Sequence, residues 1–154
     1  MHIVEYESRY QSAFKRLNVE WIERHWQLEE ADRQALDDPD EVIIARGGHI
    51  FLALDEGEVV GTCALIRVAD ATYELAKMAV DARIRGKGIG AALGIAVIDK
   101  AQSLQAEQVY LESNTILEPA IRLYRKLGFE EFVGEPSPYE RCNIQMVLDL
   151  RPQK

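Results

Sequence analysis

Residues 83–93, RIRGKGIGAAL, place three glycines and three cations in the eight positions from 83 to 90 and then run straight into an apolar pattern. Ile89, Ala92, Leu93, Ala96 and Val97 fall on one stripe, which predicts a helix reaching about Ser103. The first amide N–H groups of a helix lack an intrahelical acceptor and carry partial positive charge. Glycines ahead of such a helix let an anion reach those groups with no Cβ in the way. The stretch therefore reads as a phosphate cradle, with Arg85 and Lys87 as charged donors. A magnesium-binding P-loop is excluded, because Lys87 is followed by Gly88 and not by Ser or Thr. Gly86, Gly88 and Ala91 satisfy a dinucleotide fingerprint, but about forty residues follow Glu112, too few for a second strand–helix–strand half.

Working outward, HIVEYE (2–7) alternates like a short strand, and residues 10–26 space Phe14, Leu17, Trp21 and His25 as an amphipathic helix. QLEEADRQALDDPD predicts a second short helix that stops at Asp38-Pro39. HIFLALDEG and EVVGTCALIRVAD form a hairpin about Glu56-Gly57, and TYELAKMAV (72–80) is a third sheet segment. Beyond the glycine loop and its helix come a strand at 108–114, a helix opened by Pro119 and closed by Gly128, and two last strands in FEEFVGE and CNIQMVLDL. The expected class is α/β: residues 1–154 as a single domain with a mixed, mostly antiparallel sheet and a central strand–helix–strand crossover.

At 154 residues, 47% hydrophobic and 29% charged, the chain suits one globular core and excludes wholesale disorder. A net charge of −8 disfavours nucleic-acid partners, and no apolar run is long enough for a membrane span. Two cysteines, Cys63 and Cys142, make neither a disulfide framework nor a metal site, so the expectation is a cytoplasmic protein without a metal.

Two motifs together carry a resemblance. ELAKMAVDARIRGKGIGAAL, with Arg85-Gly-Lys-Gly88-Ile-Gly90 at its centre, resembles the acetyl-coenzyme A motif of the GNAT superfamily of N-acetyltransferases. LESNTILEPAIRLYRKLGF resembles its second motif, through Leu123, Tyr124, Gly128 and Phe129. The resemblance implies the GNAT fold and acetyl-coenzyme A as co-substrate. It also implies a cofactor site made of the backbone of Met78, Ala79 and Val80, the loop Arg85, Gly86, Lys87, Gly88, Ile89, Gly90 and Ala91, and Asn114. Many members carry an Asn where this chain has Leu117. The fold implied brings the first two helices and the final hairpin to the acceptor, with Glu29, Tyr139 and Arg141 as substrate-binding candidates. Either Tyr139 and Arg141 clasp a carboxylate, as in an amino-acid substrate, or Arg141 is a plain loop cation; Glu29, Glu30 and Asp32 either attract an amine or form a solvated helix face. Homodimers occur in the superfamily, and one is an expectation here.

Acetyl transfer to an amine needs a neutral nucleophile, a polarised carbonyl and a proton for the departing thiolate. A lysine amine titrates near about 10.4 and an α-amine near about 8, so a base is needed. Glu74 and Glu112 both resemble bases used by members of the superfamily, and both stay open. On a period-two strand Glu74 shares a face with Ala76, Met78 and Val80; an ion pair with Lys77 is the competing reading. Tyr124 is the expected general acid, against plain core packing with Ala120, Ile121 and Leu127. The expected function is direct transfer from acetyl-coenzyme A to a primary amine of a small molecule, amino acid or peptide terminus. The other class is a non-catalytic acyl-coenzyme A sensor, which the two carboxylates and Tyr124 disfavour.

Overall fold

A computed structural model describes residues 1–84 and 86–152. Strand β1 (His2–Glu5) leads through a turn of 3-10 helix (Ser8–Tyr10) into α1 (Gln11–Glu23) and α2 (Glu30–Asp37). A π-helical turn, Asp40–Ile44, follows Pro39; the sequence reading missed it, having ended the helical region at that proline. Then come β2 (His49–Asp55), β3 (Glu58–Ala69) and β4 (Thr72–Val80), α3 (Ile89–Ser103), β5 (Gln108–Ser113), α4 (Glu118–Lys126), β6 (Glu130–Phe132) and β7 (Ile144–Asp149).

The sheet runs β1-β2-β3-β4-β5-β7-β6. Every neighbouring pair is antiparallel except β4 and β5, which are parallel. Parallel strands cannot be joined by a tight turn, so α3 crosses over between them, as the sequence predicts. One face buries Leu65, Tyr73, Leu75, Val109 and Met146 with Leu93 and Val97 of α3 and Tyr124 of α4. The other face buries Ile50 and Ala64 against Phe14 of α1 and Leu36 of α2. His25, expected on the apolar stripe of α1, lies past the end of that helix and is exposed.

Two local devices set the ends of the helices that border the gap between β4 and β5. Gly128, at φ +104°, closes α4: its N–H donates to the carbonyl of Arg125, and the N–H of Phe129 donates to that of Tyr124, each at 3.0 Å. This left-handed cap stops the helix within one turn of Tyr124. At the other side α3 lies so close to β3 that a Cβ on Gly61 would meet Ile89 Cγ2 at 2.8 Å and Leu93 Cδ1 at 2.9 Å. Gly61→Ala is therefore expected to push the first turn of α3 outward, at a cost of about 1–3 kcal/mol. That corresponds to a fall in thermal midpoint on the order of 5 °C; an unchanged midpoint in calorimetry would refute this account of the contact.

Candidate active site

Strands β4 and β5 pair only at Thr72/Gln108, Tyr73/Val109 and Glu74/Tyr110, although β4 continues to Val80 and β5 to Ser113. Beyond Glu74 the two strands part. From there β4 is bonded to β3 alone, while β5 remains bonded to β7. A cleft of about 790 Å³, measured with its open mouth, fills the gap. Glu74, Met78, Glu112, Asn114, Tyr124, Tyr139 and Arg141, all singled out in the sequence, line it.

A β-bulge shapes the β4 wall. Thr62 pairs with Ala79 and Ala64 with Ala76, so Lys77 and Met78 together oppose Cys63. Lys77 takes φ +53°, a conformation that a residue with a Cβ adopts only under constraint. The bulge overturns the simple alternation. Met78 and Val80 pack toward the α3 side with Tyr73 and Leu75, whereas Glu74 and Lys77 face the α1 and α2 side.

Lys77 is anchored at both ends. Its carbonyl accepts from Thr62 Oγ1 at 3.0 Å, and Thr62 Oγ1 in turn accepts from Asn18 Nδ2 at 3.1 Å. Its Nζ lies 2.8 Å from Asp32 Oδ1, with side-chain exposures of 6% and 0%. Lys77 thus pairs with Asp32 and not, as the competing sequence reading had it, with Glu74. Arg141 completes the cluster, donating to Asp32 through Nη1 at 2.8 Å and Nη2 at 2.7 Å, and to Glu29 at 3.3 Å. Both cations also sit over the Tyr139 ring, Lys77 Nζ at 5.1 Å and Arg141 Cζ at 4.5 Å. Burial alone would raise the Asp32 carboxyl, but the Arg141 hydrogen bonds and the Lys77 ammonium hold it far below the usual carboxylate range.

These contacts correct two expectations. The N–H edge of Arg141, a candidate to clasp a substrate carboxylate, is taken by Asp32, and Asp32 is buried, not part of a solvated helix face. Glu29 meets Arg141 and does not line the cleft.

The two candidate bases differ in setting. Glu74 Oε1 receives the Tyr110 hydroxyl at 3.4 Å, and Glu112 Oε2 receives the Gln145 amide at 3.1 Å. Burial first, and the Glu112 charge second, push the Glu74 carboxyl up to about 7. Tyr124 is 8% exposed, edge-on to Phe129 at 6.1 Å, and burial followed by the nearby Cys63 raises its phenol above the ordinary value. Cys63 is sealed in the sheet, and burial drives its thiol upward too.

Gly86 and Gly88 have φ of +73° and +71°, and nothing lies within 4 Å of where a Cβ would stand on either. Gly88 caps α3, its carbonyl receiving the N–H of Ala92 at 3.0 Å, so the N–H groups of Ile89, Gly90 and Ala91 precede the first intrahelical bond. Lys87 is exposed, Ala79 is buried in the sheet, and Arg85 lies outside the described residues. Asn114 is engaged: Nδ2 donates to the Arg141 carbonyl at 2.8 Å, and Oδ1 accepts from the Ile116 N–H at 3.0 Å. Trp21 and Trp26, read from sequence as packing, line the cleft, and Tyr110 supports it from behind through its hydroxyl bond to Glu74. Tyr110 was findable, because strand parity puts it on the Glu112 face. Nothing local marks the two tryptophans. No metal-binding cluster occurs among the described residues, and no helix there is long and apolar enough to cross a membrane.

A family model described as Acetyltransferase (GNAT) family matches residues 10–129. The chain is 40% identical over 94 residues to N-acetylaspartate synthetase of Danio rerio, a match that takes in 60% of this chain but only 33% of that relative. It is 30% identical over 114 residues to YjgM, an uncharacterised N-acetyltransferase of Escherichia coli K12, covering 70% of this chain and 68% of the relative. In structure it is similar to a GNAT-family acetyltransferase from Staphylococcus aureus Mu50, with a TM-score of 0.88 over 97% of this chain and 99% of the other, at 23% identity. The family match gives the class as acetyltransferase. The chain belongs to the GNAT family of acetyltransferases.

The raised Glu74 carboxyl has a consequence for stability. An acid whose folded-state pKa exceeds its unfolded value of 4.5 favours folding only while protonated; that contribution is complete below about 4.5 and lost as pH rises through about 7. Glu74→Gln, which cannot ionise, is expected to melt close to wild type at pH 5. At pH 8 it should be more stable, by at most roughly 3 kcal/mol. Equal melting curves for both proteins at pH 8 would contradict the burial of this charge.

Proposed function

We propose that the cleft moves the acetyl group of acetyl-coenzyme A directly to a primary amine bound in the same complex, with Glu74 as base and Tyr124 as donor to the leaving thiolate. The observation that carries this reading is a carboxyl poised at about 7 in one cleft with a buried phenol, beside a sheet edge bonded on one side only. The thioester supplies an activated carbonyl. The chain's own groups do the rest.

The open space over Gly86 and Gly88 and the N–H groups of Ile89, Gly90 and Ala91 suit a diphosphate, with Lys87 adding charge. The unpaired edge of β4 at Met78 and Val80 suits an amide-bearing arm, which adds to a sheet as a strand would. The Met78 N–H, in the bulge beside the open edge of β4, is the donor assigned to the carbonyl oxygen as charge develops. Asn114 mainly ties the Arg141 loop to β5, and its second amide hydrogen remains for the arm.

Glu74 is favoured over Glu112 because a base near neutrality is half-ready at physiological pH and still strong enough to take an ammonium proton, directly or through water. Tyr124, raised by burial, stays protonated and stabilises the thiolate as a hydrogen-bond donor; complete proton transfer to a thiolate near about 8.5 would run uphill. Sealed Cys63 makes a poor acyl carrier, which supports transfer in one step. The relative's name, N-acetylaspartate synthetase, supports an amine acceptor in general terms.

Wild-type kcat/KM is expected to rise with pH through about 7, following Glu74. Glu74→Gln should lose about 10²–10⁴-fold in kcat while acetyl-coenzyme A binds unchanged in calorimetry. Wild-type turnover in that variant, with the profile retained, would move the role to Glu112. Tyr124→Phe should likewise spare binding and lower kcat, and undiminished turnover would reduce Tyr124 to packing.

A further inference from the structure

Each cation bordering the cleft already has its anion. Arg141 is held by Asp32 and Glu29, and Lys77 by Asp32. The two carboxylates that line the cleft, Glu74 and Glu112, hydrogen-bond only to neutral groups, the Tyr110 hydroxyl and the Gln145 amide. Among the described residues that line or back the cleft, two cations therefore face four carboxylates.

The same cleft has an apolar part to its lining. Trp21 and Trp26 stand with ring centroids 6.1 Å apart at 40°, next to Ile22 and Ile66. Such a surface removes water from a hydrophobic ligand body and favours aromatic contact. A carboxylate entering there would shed its hydration with no unmatched cation to receive it, beside Glu112. An ammonium or neutral amine meets no such penalty, because its neighbours are carboxylates.

We infer that the acceptor is a primary amine on an aromatic-sized apolar body that bears no carboxylate, an arylalkylamine in kind and not an acidic amino acid. The inference rests on the acetyl-transfer reading above and specifies its second substrate. Selectivity comes from negative field and apolar surface together: the carboxylates reject acids, and the tryptophans reject small, fully hydrated amines.

Phenethylamine and L-phenylalanine present the same ring and differ by one carboxylate, so they isolate the charge effect; L-aspartate adds a second. Thiol release from acetyl-coenzyme A, measured with the full chain and each amine, is expected to give kcat/KM at least tenfold higher for phenethylamine than for phenylalanine, with aspartate lowest. In Glu112→Gln the ratio of the first two should shrink severalfold, a readout that cancels any loss of rate common to both amines. A ratio of one or less, or aspartate as the best acceptor, would overturn the inference while leaving acetyl transfer intact. No turnover with any of the three, in protein that binds acetyl-coenzyme A by calorimetry, would overturn both. A ratio unmoved in Glu112→Gln would remove the repulsive field as its cause and with it the inference.

Discussion

Everything in the cleft depends on two parallel strands that bond for three residue pairs and then diverge. Backbone N–H and C=O groups inside a protein require partners, so an interior strand that loses one neighbour is a costly arrangement unless something else occupies the space. Here the departure is built in from both sides. β7 holds β5 along its full length, through six pairs from Gln108/Asp149 to Ser113/Ile144. The bulge puts Lys77 and Met78 of β4 against one residue of β3, and such an extra residue increases the local twist of its strand. The gap leaves polar backbone facing a space that is large enough for a ligand and lined by titratable side chains.

The bulge persists because its strained residue is gripped through both its main chain and its side chain. Lys77 at φ +53° would relax in an isolated strand. In the folded chain its carbonyl is tied through Thr62 to Asn18 of α1, and its ammonium to Asp32 of α2. A buried carboxylate accepting from Lys77, both Arg141 nitrogens and the Glu29 amide has its oxygens fully engaged. Removing one partner of such a cluster would strand a charge in the interior, whereas the intact set links α2, β4 and the chain leading into β7. Rigidity of this kind keeps the cleft wall in one geometry.

Charge is handled differently a few residues away. Glu74 and Glu112 share the cleft with no hydrogen bond to a cation, and burial first, with the Glu112 charge second, outweighs the Lys77 charge and raises Glu74 high enough to exchange a proton near neutrality. One cluster is thus locked in its charged form, and Glu74 beside it is left titratable. The separation follows from which carboxylate the cations bond: Lys77 and Arg141 both close on Asp32 of α2, and neither hydrogen-bonds to Glu74.

The strand–helix order, the crossover and the glycine-led start of α3 were legible in the amino-acid sequence, because turn glycines, strand alternation and helical spacing are local and short in range. So were the residues contributed by the two motif segments, Tyr124 among them. The bulge was not legible: TYELAKMAV alternates without interruption, and only pairing with β3 reveals that two residues face one. Nor could sequence foresee that Arg141 would meet an aspartate 109 positions away rather than a ligand, or that Trp21 and Trp26 would wall the cleft. Local periodicity chooses the elements. Which side chains confront one another, and hence which charges survive unpaired, is decided only when distant segments are packed together and water is withdrawn.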